Sequence, residues 1–364
     1  MKKILFVFIF FLSCSRIYAD TPSDIDRLAA INDSLTNTET SLIDGSLNTS
    51  QVEQQNAPRG YKKHNYELAF QIESYNYKTG DKWPYYYSTL YSTSDKVEKS
   101  GSLYGLYASK SWNLYAPLHT WSDLWKNYEI PNFVKIEVEA STGGTDYSSY
   151  VTGKLKGFES WDIDGRLLAG YNYAWSDTTS FTPYIGVGYR RFIDNSGGYV
   201  DYFVNGYAKY TNINSMFYIP IGVETQSLLN ERWDMNLKVA ADIVAYGTTD
   251  YLLNDIHGTF PGTDVNTGAP LTLSPKESNS NLKGGFGFRT SIKLIRKYKY
   301  CNFFVEPFFK LLYLNKSDPV QASSFATNNG SDYVSVYPNK SAYKPLWDAE
   351  NTTIDVGARA GVEF

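Results

Sequence analysis

The chain has 364 residues, of which 42% are hydrophobic, 16% aromatic and only 20% charged. So much apolar side chain excludes an intrinsically disordered protein, and no apolar run beyond the first 20 residues reaches the ~18 needed for a membrane-spanning helix, which excludes a helical membrane bundle. A formal net charge of −4 with pI near 5.5 leaves no basic footprint, so no nucleic-acid partner is expected.

In chain order, the first element reads as an export signal. Lys2 and Lys3 precede an apolar stretch from Ile4 to Leu12, and Ile17-Tyr18-Ala19 offers a small residue for cleavage before Asp20. Residues 1–19 are therefore expected to be a secretory signal peptide. Nine apolar residues are too few for a spanning anchor, and the bulky Phe11 suits lipidation at Cys14 poorly. Cleavage would lower Lys+Arg from 34 to 31 against 38 Asp+Glu, taking the charge from −4 to −7. It would leave Cys301 as the only thiol, with no intramolecular disulfide and no cysteine metal cluster. Residues 20–62 read as a polar periplasmic extension without an aromatic before Tyr61. Leu28, Ile31, Leu35 and Leu42 form the stripe of a short amphipathic helix. At that length a lone helix on a polar tether is favoured over a self-associating coiled coil. Residues 46–60 read as a linker.

The body, residues 63–364, alternates with a two-residue period, which places successive side chains on opposite faces of a strand. Trp161, Ile163, Leu167, Ala169, Tyr171, Tyr173 and Trp175 share one face; Asp162, Asp164, Arg166 and Asn172 share the other. Trp233, Met235, Leu237, Val239, Ala241 and Ile243 oppose Asp234, Asn236, Lys238 and Asp242 in the same way. At the C-terminus Ile354, Val356, Ala358, Ala360, Val362 and Phe364 oppose Asp355, Arg359 and Glu363. Strands of a soluble β-sandwich are typically ~5–6 residues long. The runs here suit a tilted bilayer crossing of ~9–11 residues, and Trp112, Trp161, Trp175, Trp233, Tyr246 and Tyr313 stand at strand ends where interfacial girdles belong.

The expected class is all-β, a transmembrane antiparallel barrel of about ten strands, at 64–77, 101–112, 132–142, 159–175, 181–193, 214–227, 233–248, 281–295, 301–315 and 351–364. Eight or twelve are alternatives, since the tyrosine-rich stretches 84–92 and 199–211 could extend hairpins or add strands. Residues 176–180, 228–232 and 296–300 would be tight turns and 78–100, 143–158, 194–213, 249–280 and 316–350 long loops. Short periplasmic turns and long outer loops put both ends of the chain in the periplasm. Residues 113–131, with Trp121, Trp125 and Tyr128, are a long connection on the short side and could form an interfacial helix.

These features resemble the Gram-negative outer-membrane β-barrel proteins of the small ten-strand class. Val356-x-Ala358-x-Ala360-x-Val362-x-Phe364 is similar to the barrel-assembly signal of that class, and Leu168–Tyr171 with Pro183–Arg190 is common among such barrels. The resemblance implies the cell outer membrane as location. It implies the lipid bilayer, lipopolysaccharide and the barrel-assembly machinery as partners, and a surface role in envelope structure, adhesion or narrow-pore passage without a cofactor.

Function then turns on the lumen and the loops. Inward cations are expected at Lys135, Arg166, Arg190, Lys238, Lys283, Arg289, Lys293, Lys310 and Arg359. Inward anions are expected at Glu67, Glu73, Glu137, Glu139, Asp162, Asp164, Glu224, Asp234, Asp242, Glu306, Asp355 and Glu363. Such a near balance in a narrow tube predicts a packed ion-pair network, for which Asp162, Asp164, Arg166, Arg190, Glu224, Arg289, Glu306 and Arg359 are the chosen residues. Asp255-Ile256-His257 in the fourth long loop resembles the Asp-x-His pair of the omptins, the ten-strand outer-membrane proteases, with Asp162-Ile163-Asp164 as a companion pair. A carboxylate beside a histidine can orient it as a general base. The flanks Asn254 and Gly258 differ from the family's, and the Asp-x-Asp falls inside a strand, so an ordinary surface loop is the favoured reading. Asp250, Asn254, Asp255, Asp264 and Asn266 match no calcium-loop spacing, and no metal is expected.

Overall fold

The computed structural model describes residues 64–79, 96–114, 118, 120–121, 131–149, 153–195, 211–252, 259–263, 270–274, 278–318, 326–328, 333–335 and 350–364. The expected signal peptide, the 20–62 extension, the stretch 84–92, most of 199–211, and Trp125 and Tyr128 lie outside the described residues.

The strands are β1 (His64–Thr79), β2 (Val97–Asn113), β3 (Phe133–Ser149), β4 (Gly153–Gly170), β5 (Tyr173–Ser176), β6 (Thr179–Asn195), β7 (Thr211–Asn230), β8 (Trp233–Leu252), β9 (Thr259–Thr263), β10 (Pro270–Ser274), β11 (Ser278–Leu282), β12 (Gly285–Arg296), β13 (Asn302–Leu314), β14 (Ala326–Asn328), β15 (Tyr333–Ser335) and β16 (Asn351–Glu363). Ten of them pair antiparallel in a ring: β1, β2, β3, β4, β6, β7, β8, β12, β13, β16 and back to β1. Closure is made by β1 on β16, from Glu67 opposite Glu363 to Thr79 opposite Asn351, and it removes both sheet edges. The backbone of Phe364 completes the seam, its N–H donating to the Tyr66 carbonyl at 2.9 Å.

Two expected strands are each two pieces. The run 159–175 is broken after Gly170 and resumes as β5, and 281–295 is broken between β11 and β12. At the second break Gly284 takes φ +95, a left-handed conformation that suits glycine. The break also resets the alternation, so Lys283 is not a lumen residue. It lies half-exposed at the rim, paired with Asp318 at 3.1 Å. The expected long loop 143–158 is instead a hairpin extension, because β3 runs to Ser149 and β4 starts at Gly153. The Tyr147 and Phe158 rings stack at 5.9 Å, and Thr145 bonds Ser160 at 2.9 Å, which holds the two arms together. A bulge at Ala245, where Phe217 faces Tyr246 but Tyr218 faces Val244, likewise switches which residues of β8 point inward.

Apolar residues face outward and charges inward. Phe70, Ile72, Leu106, Val138, Ile163, Ile185, Ile221, Phe288, Leu294 and Val305 are exposed large side chains on the outer wall. On β4 the outward column runs from Trp161 to Ala169 and continues to Tyr171. The ten residue steps from Trp161 to Tyr171, at about 3.3 Å each and tilted by about 45°, span about 23 Å, close to the apolar band of an outer-membrane barrel. Trp161, Trp175, Trp233 and Tyr246 stand exposed at the ends of this band. Among the described residues no helix is long and apolar enough to cross a membrane.

Short connections gather at one end, the turn end, with Asp177–Thr178, Glu231–Arg232 and 297–301. At the other, the loop end, the loops after β8 and β13 are joined in a second, four-stranded sheet ordered β15-β14-β10-β9.

Candidate functional site: the charged lumen

Every barrel strand carries polar or charged side chains among its inward positions, interspersed with buried apolar ones such as Leu103, Leu168, Phe304 and Leu312, and the sheet register stacks the charges in layers. Nearest the loop end, Lys99 is paired with Asp194, which also accepts from Ser160 at 3.0 Å. Below it Arg190 makes a two-pronged pair with Asp162 at 2.9 and 2.7 Å and reaches Asp355 at 3.2 Å. A two-pronged guanidinium–carboxylate contact fixes orientation as well as charge.

The middle layer centres on Glu139. It accepts from Lys310 at 2.7 Å, is paired with Arg359, and lies 3.6 Å from Arg289. Arg359 also bonds Gln71 at 3.0 Å and approaches Glu306 at 3.6 Å. Arg289 is held by Asp164 at 2.6 Å and by Asp242. The Tyr218 hydroxyl donates to Asp164 at 2.5 Å and accepts from Arg289 at 3.0 Å. Its ring has room only because Gly188 lies directly opposite on β6, where a Cβ would come within 2.3 Å of the ring. Tyr184 and Gly222 repeat that fit on the same hairpin in reverse.

Toward the turn end Glu137 is the second hub. It pairs with Arg166 at 3.0 Å, Lys238 at 2.5 Å and Lys135 at 3.4 Å, and accepts from the Tyr107 hydroxyl at 3.0 Å. Lys135 continues to Glu224 at 3.1 Å, and Lys293 pairs with Glu67 at 2.6 Å and lies 3.8 Å from Glu363.

All eight chosen lumen residues, Asp162, Asp164, Arg166, Arg190, Glu224, Arg289, Glu306 and Arg359, point inward and take part in these pairs. The hubs Glu137 and Glu139 are inward by alternation, and what singles them out is the central position on β3 that the register gives them. Lys99 and Asp194 were missed because the expected strands stopped at 101 and 193, short of the observed ends. Asp255 and His257 lie outside the described residues. Of the residues expected to form an assembly signal, Val356, Ala358, Ala360 and Val362 lie on β16 and Phe364 follows it; Val356, Ala360 and Phe364 are exposed, Ala358 half-buried and Val362 buried.

Two spaces open among the described lumen residues. A polar vestibule of about 50 Å³ opens at the turn end among Asn65, Glu67, Lys135, Glu224, Asn236 and Glu363. Deeper, between Glu137, Lys238 and Lys293, it narrows to about 10 Å³. A water needs ~10–15 Å³ on this measure, so the vestibule holds a few waters and the inner space about one.

No protein-family model matches the chain, and no curated protein sequence matches it. Among solved structures the chain is similar to the outer membrane protein OprG from Pseudomonas aeruginosa, with 10% identity, 84% of this chain and 99% of that chain covered, and a TM-score of 0.33. It is similar to the translocator domain of autotransporter NalP from Neisseria meningitidis, with 8% identity, coverage of 92% and 97%, and a TM-score of 0.31. The Pseudomonas putida toluene transporter TodX gives 10% identity, coverage of 86% and 93%, and a TM-score of 0.28. Overlap this small transfers no role, and the architecture rests on the strand register itself.

Proposed function

We propose that this chain is a plugged outer-membrane barrel that anchors a surface platform: a non-enzymatic envelope or adhesion protein through which no solute passes. The single observation that carries this is the succession of ion-pair clusters across the bore, from Lys293–Glu67 through the Glu137 and Glu139 hubs to Lys99–Asp194. Charges in a low-dielectric interior are retained where each is matched, and matched pairs leave no mobile water column for an ion to follow. A barrel of this strand number has an interior that side chains can fill, unlike the wide porins.

The loop end supports the display role. Two long loops there are tied together through β10 and β14, Leu273 facing Thr327 and Ser274 facing Ala326. With turns in the periplasm, that sheet faces outward, where lipopolysaccharide is the surrounding lipid. Val356, Ala358, Ala360, Val362 and Phe364 would be read by the assembly machinery before the β1–β16 seam closes. In planar bilayers at high salt the refolded wild-type protein is expected to show a flat baseline. Reproducible single-channel steps would overturn the plugged reading in favour of narrow-pore passage.

A further inference from the structure

The outer wall of the barrel carries one strongly basic patch at the turn end. Arg232 lies on the turn joining β7 to β8, Arg296 ends β12, and Lys297 and Lys299 lie on the turn from β12 to β13. The turns are tied by the Lys297 N–H donating to the Arg232 carbonyl at 2.8 Å. Glu231 shares the β7–β8 turn with Arg232, and Asp234 follows on β8. Asp234 is buried and already engaged by Lys297 at 2.8 Å. Among the described residues Arg232, Arg296 and Lys299 have no ion-pair partner, and all three are exposed.

The patch is joined to the lipid-facing wall. On β12 the outward column is Ile292, Leu294 and then Arg296, so an apolar track ends in a guanidinium. That guanidinium lies 5.5 Å from the Trp233 ring and 5.3 Å from the Tyr298 ring. Tyr298 packs edge-on against the exposed Phe303 at 5.5 Å, and Lys299 sits 5.2 Å over Tyr300, which is 84% exposed. Cation–π contacts hold a guanidinium at the level of the aromatic belt while its N–H groups stay free to bind a phosphate.

We infer that this rim is a binding site for an anionic glycerophospholipid, the phosphate on Arg232, Arg296 and Lys299 and an acyl chain along Ile292, Leu294 and Phe303. The apolar track favours a lipid over a soluble polyanion, and on the proposed orientation, with the turns in the periplasm, it is a lipid of the inner leaflet. A basic cluster beside a membrane surface attracts anionic headgroups, each cation contributing roughly a fivefold factor.

The test uses the full-length barrel refolded in phosphatidylcholine vesicles containing a minor share of brominated phosphatidylglycerol or brominated phosphatidylcholine. The readout is quenching of Trp233, taken as the difference between wild type and Trp233→Phe. Brominated phosphatidylglycerol is expected to occupy the site beside Trp233 with an affinity on the order of a hundredfold above the phosphatidylcholine probe, three cations at roughly fivefold each. Arg296→Gln alone should cut that preference severalfold, and Arg232→Gln/Arg296→Gln/Lys299→Gln should abolish it. Lys154→Gln/Lys156→Gln at the opposite rim should leave it intact. Equal quenching by both lipids, or a preference that survives in folded Arg296→Gln and triple variants, would overturn the site. Loss of the preference on adding inorganic phosphate would reassign it from a lipid to a free-phosphate site.

Discussion

At the scale of single residues, Glu139 concentrates the energetics of the lumen. Its carboxylate serves Lys310, Arg359 and Arg289 at once, and all four groups are buried. Removing one partner of a buried network leaves uncompensated charge, at about 3–5 kcal/mol. Glu139→Gln is therefore expected to lower the unfolding free energy in urea titration by about 3 kcal/mol. Asp318→Asn, which breaks the exposed pair with Lys283 at 3.1 Å, should cost less than about 1 kcal/mol. Equal costs would mean that the bore is hydrated and the network is not a plug. The inward face was legible residue by residue, since a two-residue period assigns each side chain a face once one is fixed. Lys283 went astray for a local reason: Gly284 at φ +95 interrupts the period, and nothing in the alternation of neighbouring residues reports that break.

At the scale of elements, all ten barrel strands were legible, because long alternating runs separated by turns leave few other assignments. Their ends were not. The backbone ladder and the stacking of Tyr147 on Phe158 continue past the runs in which apolar alternation marks a strand. Pairing partners between consecutive strands followed from order, but the exact register depends on bulges at Ala245 and near Asp146, which alternation does not mark. The β1–β16 seam gives the sharpest element-level prediction. Phe70 and Ala360 are directly opposite and both exposed on the outer wall. In a Cys301→Ser background, Phe70→Cys with Ala360→Cys should form a disulfide on mild oxidation, because facing Cα atoms lie within about 6 Å. Phe70→Cys with Val305→Cys, two strands apart at about 10 Å, should not. A band shift in the second pair and none in the first would displace the seam.

At the scale of the whole molecule, composition and patterning were enough for a closed barrel with an oily exterior and a charged bore. What the bore does was less legible, since near balance of charge is equally required of a plug and of a narrow polar pore. The proposed plug draws its support from the three-dimensional register: Glu137 and Glu139 each draw cations from strands distant in sequence, Lys238 and Arg359 among them, across the tube. The central claim is that these features build a membrane-embedded, closed barrel, and the most direct measurement is gel mobility of the outer-membrane fraction with and without boiling. A compact, faster band in the unheated sample that shifts to the position of the 41.2 kDa chain or its processed form on boiling is the predicted result. A soluble product with the same mobility before and after heating would contradict the barrel, and the lumen and rim assignments with it.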